Sequence, residues 1–269
     1  MKASSAQNGS ICVVYLLREQ QAVAPFFESY ESHPAGMKHQ LLVLDKGQRA
    51  TASLKPEWLS ATMSDRGMGL RAFSLACRKF ARHFDYLCCL NSWSVIQSDD
   101  WLAKLYSGIQ TPGAGIAGAT GSWESFYTNQ PTLLGRLLFA PLPNYHIRTT
   151  GFIIRTDLMR QVWPRFSIAK RIEYLSELGR ASITRKIMRC GWQPYVVGAN
   201  GTVYSKEQWL ASNTFRSGNQ ENLLIGDNHT VQYQRDGAER RHWWTTRTYG
   251  TTLTLQSKGQ SEGNGISGL

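Results

Sequence analysis

Apolar runs of strand length alternate along this chain with stretches in which apolar side chains recur every three or four residues. That alternation predicts a layered α/β domain in place of separate α and β parts. Residues 11–17 (ICVVYLL) read as a buried strand, and 20–32 (QQAVAPFFESYES) as a helix stopped by Pro34 and Gly36. HQLLVLDKG follows as a second strand ending in Asp45, Lys46 and Gly47. After a polar loop, Leu70, Phe73, Cys77, Phe80 and Phe84 are spaced as one face of an amphipathic helix. DYLCCLNSWS is then a central strand with a polar end. In SDDWLAKLYSGI, Ser98 is placed to cap a helix, with Asp99 and Asp100 in its positive first turn.

Beyond it, GAGIAGATGSWES reads as a small-residue strand opening into a loop, and HIRTTGFIIRTDLM as a strand leading into a turn or short helix. Residues 128–144, with Pro131, Pro141 and Pro143, read as an irregular stretch suited to a lid. A helix over 170–190 ends at Gly191, and WQPYVVG is a last strand. From about residue 205 the period fades while the chain stays aromatic and basic, and SKGQSEGNGISGL is disordered by composition. The implied division is a flexible amino terminus 1–10, one α/β domain over 11–250 with a mixed, mostly parallel sheet flanked by helices, and a disordered tail 251–269. No internal repeat is present.

Composition narrows the class. Of 269 residues 42% are apolar and 18% charged, enough to fill a core and too apolar for a disordered polyelectrolyte. No run approaches the roughly 18–20 apolar residues of a membrane span, and MKASSAQNGS shows no cleavage pattern of a signal peptide. The five cysteines lack CxxC spacing and mostly sit in apolar runs, so reduced thiols and a cytoplasmic location are expected. A net charge of +11 favours an acidic partner, for which nucleic acid, an anionic membrane surface and a phosphorylated small molecule all qualify.

In an open α/β sheet, ligands bind outside the carboxyl ends of the strands. Those ends are Arg18 and Glu19, Asp45 to Gly47, Asn91 to Ser94, and Thr120 to Glu124, all polar. Standard motifs are missing: there is no GxxxxGK[ST], GxSxG or HExxH, and the GxG at Gly67–Gly69 follows a polar loop and not a strand. Asp227 and His229, two residues apart in GDNHT, fit a turn better than a metal site.

At DYLCCLNSWSVIQSDDWLAKL the sequence resembles the middle of a type A nucleotide-sugar glycosyltransferase, of the bacterial family-two-like kind that builds surface polysaccharide. FFESYESHPAGMKHQLLVLDKG, DRGMGLRAF, GIAGATGSWES, HIRTTGFIIRTDLM, ELGRASITRKIMRCG and TFRSGNQENLLIGDNHT extend the likeness, in part to rhamnosyltransferase-like proteins, over about residues 11–233. The resemblance implies a single Rossmann-like domain and transfer of a hexosyl or deoxyhexosyl unit from a nucleotide-sugar donor to a glycan, lipid-linked or surface-polysaccharide acceptor, with inversion. It also implies Mn²⁺ or Mg²⁺ at the donor diphosphate, held by an Asp-x-Asp motif. Here that stretch is neutral, Asn91-Ser92-Trp93-Ser94, which favours metal-independent neutralisation by Arg216, His229 and Lys46, unless Asp99, Asp100 or Asp227 supplies a carboxylate.

By the same resemblance Glu177 is placed nearest the catalytic base, with Glu173 one turn earlier; pairing with Arg180 or Arg185 is the structural alternative. Asp65 and Arg66 either contact the donor base or ribose or form a helix entry. Trp123 and Glu124 follow a strand end where an indole either stacks on a sugar or packs at a rim. His146, Arg148 and Thr149 border the expected acceptor site, Arg148 being suited to an anionic acceptor or to plain strand alternation. Arg18, Lys46, Asn91, Ser92, Ser94, Arg216, Asp227 and His229 complete the expected donor side. Two other readings remain open: a donor-fold protein without catalysis, and a basic nucleic-acid-binding module carried by RRHWWTTRTY, the same segment that would give a peripheral contact with the anionic inner face of a membrane.

Overall fold

A computed structural model describes residues 9–18, 22–47, 54–63, 69–80, 83–129, 132–163 and 175–250. The tail 251–269 expected to be disordered and residues 1–8 of the amino terminus 1–10 expected to be flexible lie outside them, as do Glu19, Asp65, Arg66 and Glu173. Strands β1 (Ile11–Leu17), β2 (Gln40–Lys46), β3 (Leu59–Met63), β4 (Tyr86–Leu90), β6 (Ala114–Gly118), β9 (Gly151–Arg155), β10 (Gln193–Val197) and β11 (Val203–Ser205) form one sheet. Their order is β11-β10-β6-β9-β4-β1-β2-β3. β1, β2, β3 and β4 are mutually parallel, β6 and β10 run the same way, and β9 and β11 run against them. Two ribbons extend from this sheet: β5 (Val95–Ile96) with β12 (Ile225–Gly226), and β7 (Gly121–Ser122) with β8 (His146–Ile147).

The β-branched and apolar runs become central strands because both faces of the sheet are covered. On one face Cys12, Val14 and Leu16 of β1 pack with Phe73 and Cys77 of α2 (Gly69–Phe80), with Leu158 and Met159 of α6 (Thr156–Val162), and with Ile187 of α7 (Ile183–Arg189). On the other, Ile11, Val13 and Tyr15 pack with Phe26 of α1 (Val23–Ser32) and Leu105 of α3 (Trp101–Gln110). The Tyr15 ring lies parallel to Phe26 with centroids 3.5 Å apart. Chain order reverses at β1, which has β2 on one side and β4 on the other, so the carboxyl ends of β1 and β4 flank a switch-point crevice. Among the described residues no helix is long and apolar enough to cross a membrane.

Several elements differ from the sequence expectation, each for a local reason. β3 was hidden in a polar stretch because it is an edge strand with largely exposed side chains. HIRTTGFIIR is not one strand: β8 leaves the main sheet to pair β7, and β9 enters between β4 and β6, with Arg148, Thr149 and Thr150 at the break. The helix expected over 170–190 is interrupted at Gly179, which bridges Phe139, and restarts at Ile183 with Ser182 as its cap. Residues 128–144 are not irregular throughout, since α4 (Phe126–Asn129) and α5 (Leu133–Leu138) form there. Ser98 does not cap α3; Asp100 occupies that position in a left-handed conformation, and its side chain makes no capping bond. After 205 the chain folds into α8 (Asn228–Arg235) and α9 (Ala238–Tyr249). Cys12, Cys77, Cys88 and Cys89 are buried free thiols, whereas Cys190 is exposed.

Phe73 is buried and meets the Phe152 ring edge-on at 6.1 Å, joining α2 to β9. Phe73→Ala should therefore cost about 3–5 kcal/mol, read as the change in urea midpoint at constant slope.

Candidate functional site

At the carboxyl end of β4 the backbone turns on its own side chains. Asn91 Oδ1 accepts from the Trp93 amide at 2.8 Å and lies 3.3 Å from the Ser94 hydroxyl. That hydroxyl also donates to the Thr150 carbonyl, which fastens the end of β4 to the start of β9. Tyr15 donates to the Ser92 carbonyl at 3.1 Å and fastens it to β1. The turn offers only neutral oxygens, several already used. Among the described residues no three His, Cys, Asp or Glu side chains converge as metal ligands. A divalent cation needs several oxygens with carboxylate charge, so this donor set does not fit a tightly held Mn²⁺ or Mg²⁺.

Charge collects beside that turn, at the break between β8 and β9. The Arg148 backbone N–H donates to the Thr120 carbonyl at 3.0 Å, and its guanidinium lies over the Phe215 ring at 4.1 Å. One Nη donates to Asp227 Oδ2 at 3.2 Å, with the two side chains 15% and 1% exposed, so the pair is shielded from water. Asp227 starts α8: its Oδ1 accepts the amides of His229 (2.9 Å) and Thr230 (3.0 Å), while the Thr150 hydroxyl reaches Oδ2 at 2.6 Å. Burial works against the charged carboxyl, but the Arg148 charge and the Thr150 hydrogen bond outweigh it and hold its pKa below the usual value.

A second ion pair lies across Phe215. Arg216 adopts a left-handed backbone, φ 47°, and its amide donates to Gln220 at 3.0 Å. Its guanidinium sits 3.9 Å from the Trp244 ring centroid and 4.9 Å from that of Phe215. Glu124 accepts from Arg216 at 3.3 Å and from Arg247 Nε at 2.8 Å. For Glu124, too, burial opposes the charge, and Arg247 with Arg216 overcomes it, keeping the pKa low. Burial, then the Arg148 charge, draws Arg216 down to about 10, which leaves it cationic at neutral pH. Three guanidiniums face two carboxylates in the ion pairs of this row, and Glu177 adds a third carboxyl within the field of Arg148. The Nε–H groups of Arg148 and Arg216 are buried without a partner among the described residues, so each retains a donor that an anion could take.

Glu177, just before the Gly179 break, borders the same cluster, with Oε1 3.4 Å from the Thr149 amide. Burial raises its pKa above the ordinary glutamate value against the opposing pull of Arg148. Burial favours the neutral form of the two histidines of this cluster, His146 and His229. Burial brings His146 down to about 4 while its Nδ1 faces the Asn144 carbonyl at 2.8 Å. His229 is lowered by burial and by Arg148, so it offers hydrogen bonds where the sequence suggested a cation.

Arg148, Arg216, Asp227, His229, Glu124, His146 and Glu177 are thus brought together. Asn91, Ser92 and Ser94 form the adjoining turn; Arg18 stands half-buried beyond β1, and Lys46 is buried within β2. Trp123 is engaged internally, its Nε1 donating to the Lys206 carbonyl at 2.9 Å and its ring meeting Tyr145 and Tyr249 edge-on. Asp99 faces His33 at 2.8 Å, away from this cluster's contacts. Sequence reasoning did not single out Thr150, Phe215, Trp244 or Arg247. RRHWWTTRTY was conspicuous, yet only the fold reveals that Trp244 and Arg247, three apart on α9, serve Arg216 and Glu124.

No family model matches the chain, and no curated protein is similar to it in sequence. Among solved structures it is similar to the mannosyltransferase PcManGT from Pyrobaculum calidifontis, determined in complex with GDP-Man and Mn²⁺. The identity is 13% and the TM-score 0.50, over 90% of this chain and 70% of that one. The likeness is one of fold, a glycosyltransferase-type α/β domain with a mostly parallel mixed sheet.

Asp227→Asn keeps a capping oxygen and removes the charge opposite Arg148, so at pH 7 it should cost about 3–5 kcal/mol. Because the carboxyl is held below its unfolded value, its contribution is present above that value and lost as pH falls through the lowered one. Urea midpoints of the two proteins should accordingly converge in acid.

Proposed function

We propose that this protein is a glycosyltransferase moving a hexosyl or deoxyhexosyl unit from a nucleotide-sugar donor to a glycan or lipid-linked acceptor of surface-polysaccharide synthesis, with inversion, on the cytoplasmic side. The observation that carries the reading is the row of three arginines and two carboxylates, Arg216 and Asp227 buried and the others half-buried, set outside the carboxyl ends of the strands in a glycosyltransferase-type fold. In this reading the crevice receives the donor diphosphate, and the guanidiniums of Arg148 and Arg216, each with an Nε–H that has no partner among the described residues, match a diphosphate leaving group.

In this reading the acceptor hydroxyl attacks the anomeric carbon and passes its proton to Glu177. The bond from that carbon to the diphosphate oxygen breaks, and the electron pair stays on the oxygen, where Arg148 and Arg216 stabilise it. Asp227 and Glu124 hold these guanidiniums in place, and both rest against the Phe215 ring. Asn91, Ser92 and Ser94 shape the floor, with Arg18 and Lys46 toward the nucleotide. The reading assigns no step to a metal, since the carboxylate set that would hold one does not assemble among the described residues.

Thermal shifts with a panel of nucleoside diphosphates and nucleotide sugars test the donor half. One nucleotide class should stabilise the protein equally in Mn²⁺ and in chelator, by about 2.7 kcal/mol at a hundred times its Kd, and Arg148→Ala should abolish the effect. No shift with any of them would sink the reading.

Glu177→Gln should lower transfer about 10²- to 10⁴-fold while leaving the donor-induced shift in place. As burial raises the Glu177 pKa, the wild-type rate should be level above that value and fall as pH drops through it. A rate unchanged in the variant would remove Glu177 from the base role.

A further inference from the structure

α5 is anchored on one side and bare on the other. The Thr132 hydroxyl accepts the Gly135 amide at 2.9 Å, Gly135 is buried, and the Arg180 amide donates to the Leu138 carbonyl at 2.8 Å. The outward residues are leucines: Leu133 is 79% exposed, Leu134 64% and Leu137 68%, with Phe126 of α4 beside them at 40%. Folding leaves unused the roughly 1.5–3 kcal/mol that each such side chain gains when buried. A cluster of this kind on a soluble surface marks a contact.

Cations surround it. Arg136 belongs to α5 itself; Arg180 Nε donates to the Arg136 carbonyl at 3.1 Å, and an Arg189 Nη donates to the Arg180 carbonyl at 2.9 Å. Each of these contacts uses a backbone carbonyl, which neutralises no charge. Arg185, between them, is lowered by burial and by the fields of Arg180 and Arg189, the mark of like charges held close. We propose that this leucine face with its arginine rim docks onto an anionic phospholipid surface, the leucines entering the acyl boundary and the arginines meeting the headgroups.

Charge and shape choose this occupant. A second copy docked face to face would set Arg136, Arg180 and Arg189 against themselves. A peptide partner would need a groove, whereas α5 presents a convex helix that a lipid layer can follow. The aromatic segment of α9 is a weaker candidate than its sequence suggested. Trp244 lies beneath Arg216 with its N–H on Asp236, which leaves Trp243, 41% exposed with Arg240 4.3 Å and Arg247 5.2 Å from its ring, as one exposed apolar side chain against three leucines on α5.

The location also gives the face a purpose, and for that alone the inference rests on the proposed transferase. The Phe139–Gly179 bridge joins the end of α5 to the segment bearing Glu177, so docking would bring the base to the surface where a lipid-linked acceptor resides.

The test is sedimentation of the full chain with vesicles of phosphatidylcholine alone and of phosphatidylcholine mixed with phosphatidylglycerol. The protein should pellet with the mixed vesicles, and less so in high salt. Leu134→Asp with Leu137→Asp should weaken partitioning by about tenfold or more, and Trp243→Ala should leave it unchanged. Should the aspartate pair unfold the chain, Arg180→Glu with Arg189→Glu tests the rim and should also release it. Equal pelleting with both vesicle types, pelleting indifferent to the leucine and arginine changes, or a dimer in light scattering that the leucine changes dissolve would overturn the proposal. Vesicle binding needs no nucleotide and the thermal shift needs no vesicle, so either proposal can fail without the other.

Discussion

A guanidinium removed from water must be met by a carboxylate, by hydrogen-bond acceptors or by an aromatic face, and this protein has buried two of them a ring's width apart. Much of the upper part of the molecule is arranged to satisfy that requirement. β8 breaks from β9 at Arg148, α8 begins at Asp227 to place a carboxylate opposite it, and both cations lie against the Phe215 ring. α9 closes over Arg216 with Trp244 and reaches Glu124 with Arg247. Apolar residues of similar volume would commonly fold as well or better than such pairs, a cost that the proposed transferase reading accounts for by keeping the charges for a ligand.

The same constraint explains the neutral end of β4. With cations supplied by Arg148 and Arg216, a diphosphate would need no acidic residues beneath it, and carboxylates at Asn91 or Ser92 would compete for those arginines. Asn91 and Ser94 instead close the turn on itself and tie the end of β4 to the start of β9 through hydrogen bonds that carry no formal charge. Rigidity there costs little, because the turn satisfies its own polar groups.

Much of the layered fold was legible, because a strand buried on both faces must be almost continuously apolar and β1, β2 and β4 are. Edge and boundary features were not. β3 has no buried face to write into its sequence, and nothing local in HIRTTGFIIR announces that its halves belong to different sheets. The helix around Gly179 was read through because one glycine is tolerated in a helical pattern; its break depends on Phe139, distant in sequence. Arg148, Glu124, Arg216 and Asp227 could be picked out singly, as polar groups next to apolar elements. Their pairing could not, since Glu124 meets Arg247 across 123 residues and that contact exists only once the sheet has set the distance. The lowered pKa of His229 was not legible for a related reason: burial and a neighbouring guanidinium are properties of the fold.

β9 bears on how the protein comes into being. It is hydrogen-bonded to β4 on one edge and to β6 on the other, and in the sheet order nothing else unites the first four strands with β6, β10 and β11. While a ribosome is still short of residue 151, β4 with its Cys88 and Cys89 is left with an open edge, a surface on which nascent chains aggregate. Insertion of a late strand between two earlier ones is a nonlocal and correspondingly slow event. Because β9 also begins at the turn that aims Arg148, sealing the sheet sets the position of that guanidinium, and the rest of the row, Asp227, Arg216 and Arg247, follows only when the last helices fold onto the finished sheet.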